Sequence, residues 1–212
     1  INTQGIQASS ALTAAVIQLQ GDLNVLNKAQ TSYITLADRD TSGSEVVYNL
    51  SNLGTVNGIP FYSNGSSFYT HDVSGTDDNA HGNTGFGYLS LDAITTGDGN
   101  TAVGRIAGSA LNTGEQNVII GSYAGDALTA GNSNVVLGYD ALSSEQQGDR
   151  NVAVGFKALQ NQNNTSSVDV YNVAIGYEAG KQVTTGIKNT FIGGLSGDAA
   201  TTGGDNVSVG YN

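Results

Sequence analysis

The 212-residue chain has no cysteine, methionine or tryptophan, a single proline (Pro60) and two histidines (His71 and His81). The missing cysteine excludes disulfides, thiolate nucleophiles and cysteine zinc sites together. Both imidazoles fall in a stretch rich in Gly, Asp and Ser, so His71 and Asp72 are expected to be solvated chain. Asp77 and Asp78 are adjacent carboxylates, but without a partnered nucleophile or further ligands they are a poor acid/base or cation pair. No catalytic activity, cofactor or metal is expected. Basic residues are also scarce: seven Lys and Arg face eighteen Asp and Glu, giving a net charge of −11. Such a surface repels nucleic acid and anionic membrane. No apolar run is long enough to cross a bilayer, and none sits behind a basic start as a secretory leader would.

What the chain has in quantity is glycine, 30 residues of it, and much of it is periodic. Eight times an Asn is followed four places later by a Gly: Asn83 and Gly87, Asn100 and Gly104, Asn117 and Gly121, Asn134 and Gly138, Asn151 and Gly155, Asn172 and Gly176, Asn189 and Gly193, Asn206 and Gly210. The Asn-to-Asn spacings are 17, 17, 17, 17, 21, 17 and 17. A fixed period of this kind marks a solenoid.

Counting each Asn as position one, the second position is β-branched (Val118, Val135, Val152) and the fourth is a large apolar residue (Ile120, Leu137, Val154). Alternation with period two predicts a strand. The third position varies from Gly85 and Ala102 to Ile119, Phe191 and Ser208, so the second and fourth are expected to face inward. A second Gly recurs at position fifteen (Gly97, Gly114, Gly131, Gly148, Gly186, Gly203), and both glycines suit corners with positive φ or close backbone approach. Position nine alternates between Gly and Leu: Gly108, Gly125 and Gly180 are followed at position twelve by Leu111, Leu128 and Val183, whereas Leu142 and Leu159 are followed by Glu145 and Gln162. One apolar plug per coil is therefore expected. Seventeen residues with two glycine corners cannot hold two helices, and a stack of parallel β-coils remains, with the Asn side chains in a ladder. Eight coils at about 4.8 Å each would span roughly 35 Å. No carboxylate recurs beside the Asn residues, so the ladder is expected to be structural.

The predicted organisation is mainly β: an N-terminal helix over 1–30, a β-rich connector or neck over 31–82, and a β-roll or β-solenoid of eight 17-residue repeats over 83–212. In the first segment Leu12, Val16, Leu19, Leu23 and Leu26 follow an a/d heptad seam, which predicts a short parallel coiled coil or, alternatively, a helix docked on its own domain. A coil this small encloses two or three medium side chains per turn, so association is expected to supply the missing core, and a homotrimer is expected. In the connector, strands are predicted over 33–36, 46–50, 58–62 and 67–71, with the clearest hairpin at Asn64 and Gly65.

The string from Asn172 to Gly176, Asn-Val-Ala-Ile-Gly, resembles the head repeat of trimeric autotransporter adhesins, and related 17-residue arrays occur in phage tail fibres. The resemblance covers residues 83–212. It implies three chains, each wound as a parallel β-roll about a threefold axis, joined to coiled-coil stalks and binding host surfaces. The adhesins carry a C-terminal membrane-anchor barrel that is not found here, which favours a virion fibre over a bacterial surface or secreted adhesin. Because the chain starts at Ile1 and stops within a unit, it is expected to be part of a longer one. The expected partners are other fibre or virion proteins and a host cell-surface glycan or protein. A monomeric glycan- or ice-binding solenoid is a distant alternative, suggested by Thr pairs in three units.

Candidate receptor contacts are Tyr62 and Tyr69 in the connector, the rings that follow the closing Gly (Tyr88, Tyr139, Phe156 and Tyr177), and Asn163 and Asn164 in the four-residue insertion, placed within 161–170. Exposed rings stack on apolar sugar faces, but the same rings could equally shield a seam between subunits. The insertion is expected to protrude as a polar bulge, either inert or carrying recognition.

Overall fold

The structure, a computed structural model, describes residues 62–63, 67–70 and 79–212. All belong to the second of the chain's two units, Asn49–Asn212, the first being Ile1–Tyr48. The expected coiled coil over 1–30 and the connector strands over 33–36 and 46–50 lie outside the described residues.

Eight three-residue strands follow the eight repeat asparagines: β3 (Thr84–Phe86), β4 (Thr101–Val103), β5 (Val118–Ile120), β6 (Val135–Leu137), β8 (Val152–Val154), β10 (Val173–Ile175), β11 (Thr190–Ile192) and β12 (Val207–Val209). Each pairs in parallel with the next, equivalent residue against equivalent residue, as in Val118 with Val135 and Ile120 with Leu137. The register runs straight across the 21-residue unit, where Val152 pairs with Val173, so the four extra residues are absorbed away from the strand. The result is a parallel β-solenoid of eight coils, with no helix among the described residues. Ahead of it, β1 (Tyr62–Ser63) and β2 (Phe68–Tyr69) form the antiparallel hairpin expected around Asn64 and Gly65, and β2 joins the parallel sheet at β3. A separate two-stranded parallel pair, β7 (Gly148–Asp149) with β9 (Val168–Asp169), lies at the insertion.

The glycine at position five ends the strand for two reasons. Gly121 has φ +137, and a Cβ there would overlap the carbonyl oxygen of Gly138 in the next coil. No side chain fits where two backbones meet so closely.

The sequence expectation for the strand faces is reversed. The third position is buried (Ala102, Ile119, Val136, Ala153, Ala174, Phe191), while the second and fourth point outward. The cause is parity: the repeat Asn is itself buried, and with a period of two the residue two places on shares its face. Variation at position three reflects the coil interior, which is filled by a different set of side chains at each level, and not exposure.

That filling is compensatory. Gly85 has no side chain because the Tyr69 ring occupies its place; a Cβ there would lie 2.9 Å from the ring. Ile119 is accommodated by Gly108 and Gly125 at position nine, and Phe191 by Gly180 and Gly197. Where position three is Val136 or Ala153, Leu142 and Leu159 take position nine, and both are fully buried. Leu142 and Leu159 do this with φ 50, a left-handed conformation costly for leucine, so core filling outweighs backbone strain there. Leu111, Leu128 and Val183 plug the remaining coils from position twelve, as expected.

Candidate functional site

The asparagine ladder is built from buried amides. Asn100 is typical: its Oδ1 accepts from the backbone N–H and the Nδ2 of Asn117 at 2.9 and 3.0 Å. Its own Nδ2 donates to Asn83 Oδ1 at 3.1 Å and to the carbonyl of Gly114 at 2.9 Å. Asn117 and Asn134 repeat this pattern in whole and Asn189 in large part, and all three are fully buried, so their amide groups are closed to an outside ligand.

The ladder breaks at the insertion. Asn172 turns its Nδ2 to Gln162 Oε1 at 2.8 Å instead of to Asn151, and Asn151 Oδ1 is left buried with no hydrogen-bond partner. Alongside this break, Glu145 is fully buried in the place where other coils hold a leucine. Its Oε1 accepts the backbone N–H groups of Gln146, Gln147, Gly148 and Asn164 at 2.8 to 3.2 Å. Its Oε2 accepts from Gln162 Nε2 and Asn164 Nδ2 at 2.8 and 2.9 Å. The sequence marks Glu145 and Gln162 only as the polar residues that follow Leu142 and Leu159; they form an interior polar plug that fastens the longer turn.

The insertion therefore protrudes less than expected. Gln162, Asn164 and Val170 are buried and residues 165–167 and Asp169 are exposed. Ser167 Oγ donates to Asp149 Oδ2 at 3.3 Å, and Asp149 Oδ1 accepts from the backbone N–H of Asn132. Asp169 pairs with Arg150. Arg150 lies over the Tyr171 ring, 5.7 Å from its centre, and the ring is still 47% exposed.

The rings after the closing Gly form a stacked row: Tyr139 to Phe156 at 5.5 Å and 12°, and Phe156 to Tyr177 at 5.3 Å and 5°. Tyr123 meets Tyr139 edge-on, and Arg105 lies over Tyr123 and hydrogen-bonds to its hydroxyl. Because Phe156 is flanked on both faces, it shows ring edges to solvent, whereas sugar stacking needs ring faces; Tyr177, at the end of the row, is stacked on one face and exposed. Tyr88 stands outside the row, strongly exposed. Tyr69 is inside the first coil and Asn164 is bound to Glu145, so neither offers an open contact; Asn163 accepts from Gln146 Nε2 at 3.3 Å. Tyr62 is placed in β1 opposite Tyr69.

Among the described residues the outward strand face is an extended apolar feature. The second and fourth positions of eight coils contribute no charged residue. Val135 is 40%, Leu137 43% and Ile175 39% exposed, in rows that run the length of the sheet.

Burial pushes the Asp126 carboxyl above its ordinary range; the backbone N–H groups of Asp126 and Ala127 oppose this, and nearby Asp140 adds to it. Among the described residues no group of three or more His, Cys, Asp or Glu could hold a metal, and no helix is long and apolar enough to cross a membrane. Comparison with protein-family models, curated proteins and solved structures returned no match.

Proposed function

We propose that this chain is a structural fibre or appendage segment that works as a homotrimer, in a virion tail or surface fibre, as a rigid shaft and host-contact head. The observation that carries the proposal is the uncharged, apolar outer face of the parallel sheet. A monomer seldom leaves in water a patch about 35 Å long made of an unbroken apolar row at position four beside a row of Val and Thr at position two, and two further copies of the same face would cover it. The leucine seam at 12–26 and the resemblance of the repeat to adhesin heads support three copies in parallel. Net charge of −11 per chain keeps such an assembly soluble and directs it away from nucleic acid and anionic lipid.

Light scattering on the purified chain tests this directly. A solution mass three times 21.6 kDa is expected. A monomer at micromolar concentration overturns the proposal.

A further inference from the structure

Departures from the repeat concentrate where the coil that begins at Asn134 meets the 21-residue coil that begins at Asn151. The Asn ladder is cut between Asn151 and Asn172, a buried amide oxygen goes without a partner, and a carboxyl and an amide, Glu145 and Gln162, stand buried at position twelve. An unmet buried acceptor is destabilising relative to the regular coil, and a sequence that keeps its other units in step retains such a junction for what it displays. What it displays is a compact surface group: the Tyr171 ring with Arg150 on one face, Asp169 paired to Arg150, Tyr171 Oη 3.5 Å from Asp169 Oδ2, and Ser167 beside Asp149.

We propose that the 21-residue coil is a recognition site for an uncharged pyranose, the terminal or branch sugar of a surface polysaccharide. The inference rests on the host-contact part of the proposed function. Tyr171 supplies an amphipathic ring for the apolar face of a sugar. Asp169 accepts from vicinal hydroxyls and Arg150 donates to a ring or hydroxyl oxygen. The charges of Arg150 and Asp169 cancel locally, while the chain as a whole, at −11, disfavours sialylated or sulfated sugars, so an uncharged sugar is selected. Within the stacked row both faces of Phe156 are spent on Tyr139 and Tyr177, so that ring takes no part.

The test is a glycan array carrying neutral hexose-, deoxyhexose- and N-acetylhexosamine-terminated oligosaccharides beside sialylated and sulfated ones. It is followed by titration of the best neutral oligosaccharide. Three variants of the full chain are compared: Tyr171→Asn, which suits the left-handed φ of 56 at that position; deletion of residues 165–168, which restores a 17-residue spacing; and Phe156→Ala as the control. A neutral binder is expected, weakened at least tenfold by Tyr171→Asn and by the deletion and unchanged by Phe156→Ala. Absence of any neutral binder, a preference for acidic sugars, or binding that survives Tyr171→Asn overturns the site. Solution mass, read on the same samples, separates this outcome from failure of the trimer: a trimer that binds no neutral sugar leaves the shaft intact and removes only the site.

Discussion

Phe191 occupies the volume that a side chain at Gly197 would need. The ring lies against the bare Cα of Gly197 within the same coil, and Gly197 has φ +65, so substitution there meets both overlap and backbone strain. Gly197→Ala is expected to lower stability by about 2–4 kcal/mol, the sum of a left-handed alanine and an overpacked core. In the background of Phe191→Ile the same change should cost about half as much. Denaturant midpoints of the four proteins of this cycle give the coupling, and additive effects would remove the proposed contact.

Reversal of the strand faces separates folding from association. Ile119→Asp puts a charge inside a coil and is expected to abolish the fold around β5, at a cost of several kcal/mol. Leu137→Asp, on the outer face, is expected to leave the β-sheet circular dichroism of the isolated chain intact while reducing the solution mass to that of one chain. Equal loss of β structure in both variants would contradict the assignment of faces.

The ladder predicts unequal costs for chemically identical changes. Asn117 makes four side-chain hydrogen-bond contacts, two through Oδ1 to Asn134 and two through Nδ2 to Asn100 and Gly131. Asn151 donates through Nδ2 to Asn134 while its Oδ1 accepts nothing. Asn117→Ala is therefore expected to cost about 3 kcal/mol and Asn151→Ala about 1 kcal/mol. Thermal melts of the two variants decide it; the same shift in both would mean that the break at Asn151 is absent.

Asp126 gives a pH signature. Its carboxyl titrates higher in the folded chain than in the unfolded one, so its contribution to stability is fully present below the unfolded value of 3.8 and is lost as pH rises through the folded value. Asp126→Asn should raise the melting temperature at pH 7, and that gain should shrink on acidification and vanish below the ordinary carboxylate range. A gain that is constant with pH would rule out desolvation as its source.

Corners, period and coil count were legible because they depend on single residues: Gly121 cannot be anything else where the backbone of Gly138 approaches it. The plug rule was legible for the same reason, since Leu111 and Leu128 differ plainly from Glu145. Strand parity was not. Val118, Ile119 and Ile120 are all apolar, and alternation over three residues cannot say which face is inside when the outer face is apolar as well. Two signals pointed the right way: the invariable Asn two places before position three, and the trade of size between Phe191 or Ile119 and the glycines of position nine. The role of Glu145 was hidden because its partners come from residues 146–148 and from an insertion whose path no periodicity specifies. Tyr171 escaped notice because it precedes the repeat Asn, at a position held elsewhere by polar or charged side chains such as Gln116, Ser133 and Lys188.

The trade of volume across coils also bears on how such an array can lengthen or shorten. Phe191 needs a glycine in its own coil, Gly197, and one in the coil before, Gly180, so a copied unit carrying that ring would be accepted only behind a coil already hollowed to receive it. The heritable piece of this architecture is then the junction and not the repeat, and recombination that preserves the 17-residue period while separating matched coils would give chains of correct length that do not close.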